Sequence, residues 1–294
     1  MKIAIVKLSA LGDIVHAMVV LQFIKKYNSS IEIDWVVEDC YREILEFHPD
    51  INKIITVNLK KAKKNKSILQ FLNEIKKVRK FGPYDMVIDM QGLIKSSIIS
   101  YFISSKITLG FDKFSSREGL SSIFYNKTCS VEYDKNVIHR NFEIIKLALD
   151  LPFNNQEIKY KLPFVFSNKD FFIEGISNTK KNILLIPGAS HISKRYPVIK
   201  FAEFANLFDA NFIVIWGNDE EKKYANKIKE LSPKINICEK LSIDALIRIV
   251  GKVDLIIGSD TGPTHLAWAQ NIPSITLFGP TPGYRNCYIT DINK

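Results

Sequence analysis

The sequence predicts an α/β protein built from two doubly wound, parallel-sheet domains. Three observations predict it. Short runs rich in Val and Ile lack the in/out alternation of half-exposed strands, so they read as strands covered on both faces. These runs alternate with stretches of helical period. The rhythm breaks after Leu149 and restarts at Asn182, in a chain of 294 residues, a length suited to two domains of ~150 residues.

Taken in order, Lys2–Val6, Ile31–Val37, Ile54–Val57 and Met86–Asp89 read as strands, with helices over Asp13–Lys26 and Ile68–Lys80. A helix over Asn141–Leu149 closes the first domain, residues 1–150. Residues 151–180 carry two Leu-Pro-Phe triplets, polar runs and no clear period, and read as an interdomain region. The second domain, 181–294, starts with strand Asn182–Ile186 and continues as helix Val198–Phe208, strand Phe212–Trp216, helix Glu220–Leu231, strand Ile235–Cys238 and helix Ile243–Val250. Strand Val253–Ile257, a short helix from Thr264 and strand Ser274–Phe278 complete it. No internal repeat or low-complexity tract interrupts either series.

Composition excludes several classes. With 46% hydrophobic and 24% charged residues the chain has ample core, so disorder is excluded. The longest apolar runs, such as Ala17–Leu21 and Phe212–Trp216, fall far short of the ~18 residues of a membrane-spanning helix. The opening Met-Lys-Ile-Ala-Ile-Val-Lys lacks the features of a signal peptide, which predicts a cytoplasmic location. Cys40, Cys129, Cys238 and Cys287 have no metal-finger or Cys-x-x-Cys spacing and read as incidental thiols. The formal charge is +10, and Lys60–Lys80 alone holds nine basic residues and one acid, Glu74. Either an anionic partner (nucleic acid, phosphorylated lipid or acidic sugar) or a solvated helix face explains that run. Phe71 within it and Phe81 just after it are the only aromatics there, which argues against nucleic acid. The lysines before Ile68 have few apolar anchors and are expected to form a mobile loop.

Ligands of such sheets bind where strands end and helices begin. The first such turn is Lys7-Leu-Ser-Ala-Leu-Gly-Asp13, with His16 one turn on. Asp13 there is either a plain helix cap or a carboxylate presented to a ligand. Gly-x-Gly-x-x-Gly and Walker A motifs are absent. A second turn, Gly258-Ser-Asp260-Thr261-Gly262-Pro263-Thr264-His265, places Pro263 at the first helical residue and offers backbone N–H groups to a phosphate or diphosphate. A third, Pro187-Gly-Ala-Ser190 followed by Lys194-Arg195-Tyr196-Pro197, brings two cations that either meet that phosphate or face solvent. No Asp-x-Asp occurs, and the five His are scattered, so no metal is expected.

Six motifs occur in a telling order: Ser9-Ala-Leu-Gly-Asp13-Ile-Val-His16; Asp89-Met-Gln-Gly-Leu-Ile-Lys-Ser96; Arg117-Glu with Phe124-Tyr-Asn126; Pro187-Gly-Ala-Ser190; Ser259-Asp-Thr-Gly262 with His265; and Phe278-Gly-Pro-Thr281. Together they resemble the ADP-heptose:lipopolysaccharide heptosyltransferases of glycosyltransferase family 9. The resemblance implies a GT-B fold, two Rossmann-like domains facing a catalytic cleft, with the acceptor on the first and the nucleotide sugar on the second. It implies inverting transfer of L-glycero-D-manno-heptose from ADP-heptose to Kdo of Kdo-lipid A, without metal or cofactor. The enzyme would be a monomer, peripheral at the cytoplasmic face of the inner membrane. By motif, Asp13 is similar to the catalytic base and Lys194 to the lysine that meets the donor phosphates. Ser190, Asp260, Thr261, Gly262 and His265 align with donor-site positions, Glu221 with the ribose carboxylate and Leu241 with the residue against adenine. Lys60, Lys61, Lys64, Arg117 and Arg140 match basic positions that meet the acceptor's anionic groups. Family members continue past the Gly-Pro-Thr loop into further helices, whereas this sequence ends at Lys294, so a shortened second domain is expected. A second or third heptosyltransferase type, another family 9 sugar transferase, or a non-catalytic polyanion- or sugar-binding protein are the alternative readings.

Overall fold

The chain folds into two parallel sheets, described in a computed structural model for residues 1–167 and 175–294. Contacts divide it into Met1–Lys161 and Leu162–Lys294. That division falls inside the stretch read as interdomain, of which residues 168–174 lie outside the described residues.

The first unit holds β1 (Lys2–Val6), β2 (Glu32–Glu38), β3 (Lys53–Val57), β4 (Tyr84–Asp89), β5 (Ser105–Phe111) and β6 (Lys127–Cys129), in the order β3-β2-β1-β4-β5-β6. The second holds β7 (Asn182–Ile186), β8 (Asn211–Val214), β9 (Ile235–Ile237), β10 (Leu255–Ser259) and β11 (Ser274–Leu277), in the order β11-β10-β7-β8-β9. Every pairing is parallel. Each unit therefore winds outward in both directions from its first strand. The winding reverses between β1 and β4 in one sheet and between β7 and β10 in the other, and at such reversals ligands bind beyond the carboxyl ends of the strands.

Burial explains the uninterrupted apolar strands. Ile3–Val6 of β1 and the whole of β7 are buried. β5 and β6 carry no such signal, because β5 opens on polar residues and β6 is a three-residue edge strand. Helix Ile94–Phe102, between β4 and β5, is likewise not announced by the pattern.

Three local expectations are corrected. The helix expected from Asp13 begins at Leu11, and Asp13 stands in its first turn, where Oδ2 accepts the Ala10 N–H at 3.0 Å. That reach-back contact satisfies a donor at the helix entry. Pro263 is the second rather than the first residue of helix Gly262–Ala269. The lysine run is not a loop: Leu59–Lys64 is a helix, anchored by buried Leu59 and Ala62. The Glu38 carboxylate, at the end of β2, accepts the Lys60 N–H at 3.1 and 3.3 Å. A negative charge at that end offsets the helix's unsatisfied N–H groups. Among the described residues, no helix is long and apolar enough to cross a membrane.

Candidate active site

In the first unit the two turns at the β1/β4 reversal are stitched together by Gln91. Its Oε1 accepts the N–H groups of Leu8 (2.7 Å) and Ser9 (3.2 Å), and its Nε2 donates to the Ser9 carbonyl (2.7 Å). Lys7 Nζ donates to the Met90 carbonyl at 2.8 Å. The chain leading into Asp13 is thus held by the turn after β4. Asp89 fixes that second turn from below, accepting from the N–H groups of Gln91 (2.8 Å) and Gly92 (3.3 Å) and from the Tyr125 hydroxyl (2.9 Å). Complete burial pushes the Asp89 carboxyl up, against those donors and the Ser96 hydroxyl. Tyr125 reaches it by crossing Gly110, where a Cβ would lie 2.3 Å from the ring. Any side chain at 110 would displace Tyr125 and loosen the support of the turn.

Asp13 itself is exposed. At the start of the same turn, Lys95 Nζ donates to Ser9 Oγ at 3.1 Å. Burial lowers the Lys95 ammonium; Glu38 offsets this in part, while Lys60 and Lys63 add to it. Burial conversely raises the Glu38 carboxyl. The Ser9–Asp13 turn therefore carries a half-buried cation that sequence reasoning did not single out, although Gln91 and Lys95 both stand in the Asp89–Ser96 motif.

The basic positions separate into two groups. Lys60, Lys61 and Lys64 share one short helix, and Lys60 Nζ donates to the Tyr41 hydroxyl at 2.6 Å while lying 4.1 Å from its ring centroid. Arg117 is exposed in the loop beyond β5. Arg140 does not join them: it is 6% exposed. Its guanidinium donates to the carbonyls of Ser115 (2.5 Å), Glu132 (2.6 Å) and Val131 (3.3 Å) and stacks 4.7 Å from the Phe111 ring centroid. Arg140, expected at the acceptor, is instead buried as a brace between two loops, with Nη1 and Nη2 donating to backbone carbonyls.

In the second unit three segments meet on Asp260, at the carboxyl end of β10. Its Oδ2 accepts from Lys194 Nζ (2.7 Å) and from the Thr281 hydroxyl (2.9 Å), and its Oδ1 lies 3.0 Å from His265 Nε2. Burial opposes the carboxylate's charge, but His265, Lys194 and Thr281 outweigh it and hold the group well below the usual carboxylate range. Thr261 precedes helix Gly262–Ala269 in extended conformation. The N–H groups that open a helix have no intrahelical acceptor, so this end attracts an anion. Lys194, 19% exposed at its side chain, is pinned at the same place.

The turn after β7 is shaped by a close approach. A Cβ at Gly188 would come within 2.5 Å of the Glu221 carboxyl carbon. Glu221, at the start of helix Asp219–Leu231, also accepts the Gly217 N–H at 2.7 Å. Ser190 is exposed just beyond. Arg195 is not a free cation: it clamps Glu220 through both nitrogens (2.7 and 3.1 Å) and donates to Tyr224 and to the Ala189 carbonyl. Leu241 is half-buried in the loop leading to helix Ile243–Val250. Thr281 is the member of this constellation that sequence reasoning quoted in a motif without assigning. Among the described residues, no group of three or more His, Cys, Asp or Glu is placed to hold a metal ion.

The whole chain is similar to known proteins. The sequence model of glycosyltransferase family 9 (heptosyltransferase) matches residues 73–288. The chain belongs to glycosyltransferase family 9. This family 9 member is 41% identical over 309 aligned positions to lipopolysaccharide heptosyltransferase 1 of Campylobacter coli, covering 100% of this chain and 88% of that one. It is 28% identical to lipopolysaccharide heptosyltransferase 1 of Pseudomonas aeruginosa, covering 98% and 81%. Escherichia coli heptosyltransferase WaaC, solved with ADP-2-deoxy-2-fluoro heptose, superposes with a TM-score of 0.82 at 23% identity, covering 100% and 92%. Escherichia coli ADP-heptose lps heptosyltransferase II gives 0.74 at 18% identity, covering 100% and 89%. The fold of this heptosyltransferase-family chain is accordingly GT-B.

Proposed function

We propose that the chain transfers L-glycero-D-manno-heptose from ADP-heptose to Kdo of Kdo-lipid A, with inversion, in lipopolysaccharide inner-core assembly. The full-length 41% identity to a heptosyltransferase 1 carries this reading, and the anion-ready end of helix Gly262–Ala269 beside Lys194 supports it. The acceptor hydroxyl oxygen forms a bond to the anomeric carbon as that carbon's bond to the diphosphate breaks. Asp13 takes the hydroxyl proton. ADP leaves carrying the negative charge, which Lys194 and the helix N-terminus stabilise where it develops. Glu221 binds the ribose, Leu241 packs on adenine, and Ser190, Thr261, Gly262 and His265 line the donor site. The acceptor lies at the cytoplasmic face of the inner membrane.

The direct test is incubation with ADP-heptose and Kdo-lipid A, the product being weighed by mass spectrometry. Gain of one heptose is expected. Transfer only to an already heptosylated acceptor would move the chain to another type within the family, and binding without transfer would make it a non-catalytic relative.

Because charge at the leaving group is met by Lys194 and backbone N–H groups, turnover should persist undiminished in EDTA. A strict requirement for added magnesium would show that the donor diphosphate is held differently.

Lys60, Lys61 and Lys64 meet the acceptor's carboxylates and phosphates in this reading. Each lysine near an anionic membrane surface contributes up to about 1 kcal/mol, and salt screens it. Neutralising all three should raise the KM for acceptor and leave that for ADP-heptose unchanged, with the defect shrinking as salt is raised. Equal loss for both substrates would return the cluster to a merely solvated face.

A further inference from the structure

Helix Ile68–Val78 turns two different faces outward and inward. Inward, Ile75 and Val78 are buried and Phe71 packs on the core of the sheet. Outward, Ile68 is 76% exposed, Leu69 74% and Leu72 44%. At 3.6 residues per turn, positions i, i+1 and i+4 occupy one arc of about 100°, so these three side chains form one apolar stripe rather than scattered surface residues. Lys76, four residues after Leu72, continues the stripe and is exposed. The helix's single acid, Glu74, lies on another face with Lys77 Nζ 3.8 Å away.

The flanks repeat the combination. Packed against its start is helix Leu59–Lys64, with Lys61, Lys63 and Lys64 exposed, followed by exposed Lys66. Helix Ile94–Phe102 also packs against it and against the turn Gly119–Phe124, where Leu120 is 66% and Ile123 72% exposed. Nothing in the fold of this unit needs these apolar groups in water. A protein partner's groove would favour a compact apolar patch with a neutral rim. Large aliphatic side chains interleaved with lysines are instead the composition of a surface that lies in a bilayer interface, apolar groups among the acyl chains and ammonium groups among anionic headgroups.

We propose that this face of the first unit, centred on Ile68, Leu69 and Leu72, docks on an anionic lipid bilayer. Helix Leu59–Lys64 follows β3, so the start of the stripe lies at the carboxyl edge of the sheet, the edge that also carries the Asp13 turn. Docking there turns the base toward the lipid surface. This deepens the proposed function, since it assigns the surface by which a lipid-linked acceptor is approached, but the binding itself needs no substrate.

The test is cosedimentation of the whole chain with vesicles of phosphatidylcholine alone and of phosphatidylcholine mixed with phosphatidylglycerol. The chain is expected on the mixed vesicles, released by high salt, and absent from the neutral ones. Leu69→Ser combined with Leu72→Ser, both at exposed positions, should reduce vesicle partitioning about ten-fold or more. The same variant should keep its transfer rate on an acyl-free Kdo acceptor. Unchanged vesicle binding by the variant, equal binding of wild type to neutral vesicles, or a lipid-free dimer that the variant dissolves would each overturn the proposal. Expected vesicle binding in a chain that transfers no heptose would leave the docking surface standing and remove the functional reading instead.

Discussion

Asp13→Asn is expected to lower turnover by about 10²–10⁴-fold, the usual contribution of a general base. Asparagine keeps an oxygen that can accept the Ala10 N–H now held by Asp13 Oδ2 at 3.0 Å, so the helix entry survives while the proton acceptor is lost. Asp13→Ala should show the same kinetic loss with a further stability cost of about 1 kcal/mol from the lost reach-back contact. The distinction matters, because a carboxylate in the first turn of a helix has a structural use of its own. Affinity for ADP-heptose, measured by calorimetry, should stay within error in both variants, since every proposed donor contact is on the second unit. Near-normal turnover in Asp13→Asn would remove Asp13 from the chemical step and leave it as a helix-entry residue.

Replacing Asp260 should damage stability and donor binding together. The carboxylate collects Lys194, Thr281 and His265 from three different segments, with side-chain exposures of 6% for Asp260 and 19% for Lys194. Removing one partner of a buried pair costs about 3–5 kcal/mol. Lys194 can still reach some water, so about 1–3 kcal/mol is the expected loss for Asp260→Ala, read as a lower denaturation midpoint. With Lys194 unpinned, ADP affinity should fall at least about ten-fold. The double variant Asp260→Ala, Lys194→Ala should lose less than the sum of the singles, as partners in one network do. Additive losses would mean that Asp260 does not position Lys194.

The depressed Asp260 carboxyl also predicts a pH dependence. A carboxyl lowered by folding stabilises the native state fully above its unfolded value near pH 4. That contribution fades as pH falls from there through the folded value. Acid unfolding of the wild type should therefore be steeper below about pH 4 than that of Asp260→Asn, whose amide does not titrate.

How much of this was legible beforehand depends on the range of the forces involved. Strands Lys2–Val6 and Asn182–Ile186 and helix Ile243–Val250 have the predicted bounds, because apolar periodicity is a local signal that burial on one or two faces leaves in the residues themselves. The same holds for the turns: Asp13, Ser190 and Asp260–Gly262 stand at strand-to-helix junctions of a βα rhythm, and the rhythm alone places them at the carboxyl edges of two sheets. Tertiary structure decided the rest. Gln91 clamps Leu8 across 83 residues and Lys194 meets Asp260 across 66, distances over which no spacing rule operates. Arg140 reads by motif as an acceptor-binding cation, yet three carbonyls brought around it by folding turn it into a brace. The lysine run reads as a loop because five lysines supply little apolar surface; it becomes a helix because buried Leu59 and Ala62 anchor it and the Glu38 carboxylate, from another strand, caps it. Local periodicity determined the strands, helices and turns, whereas the partners that satisfy buried charge and orphaned backbone groups come from distant segments and exist only once the sheets have formed.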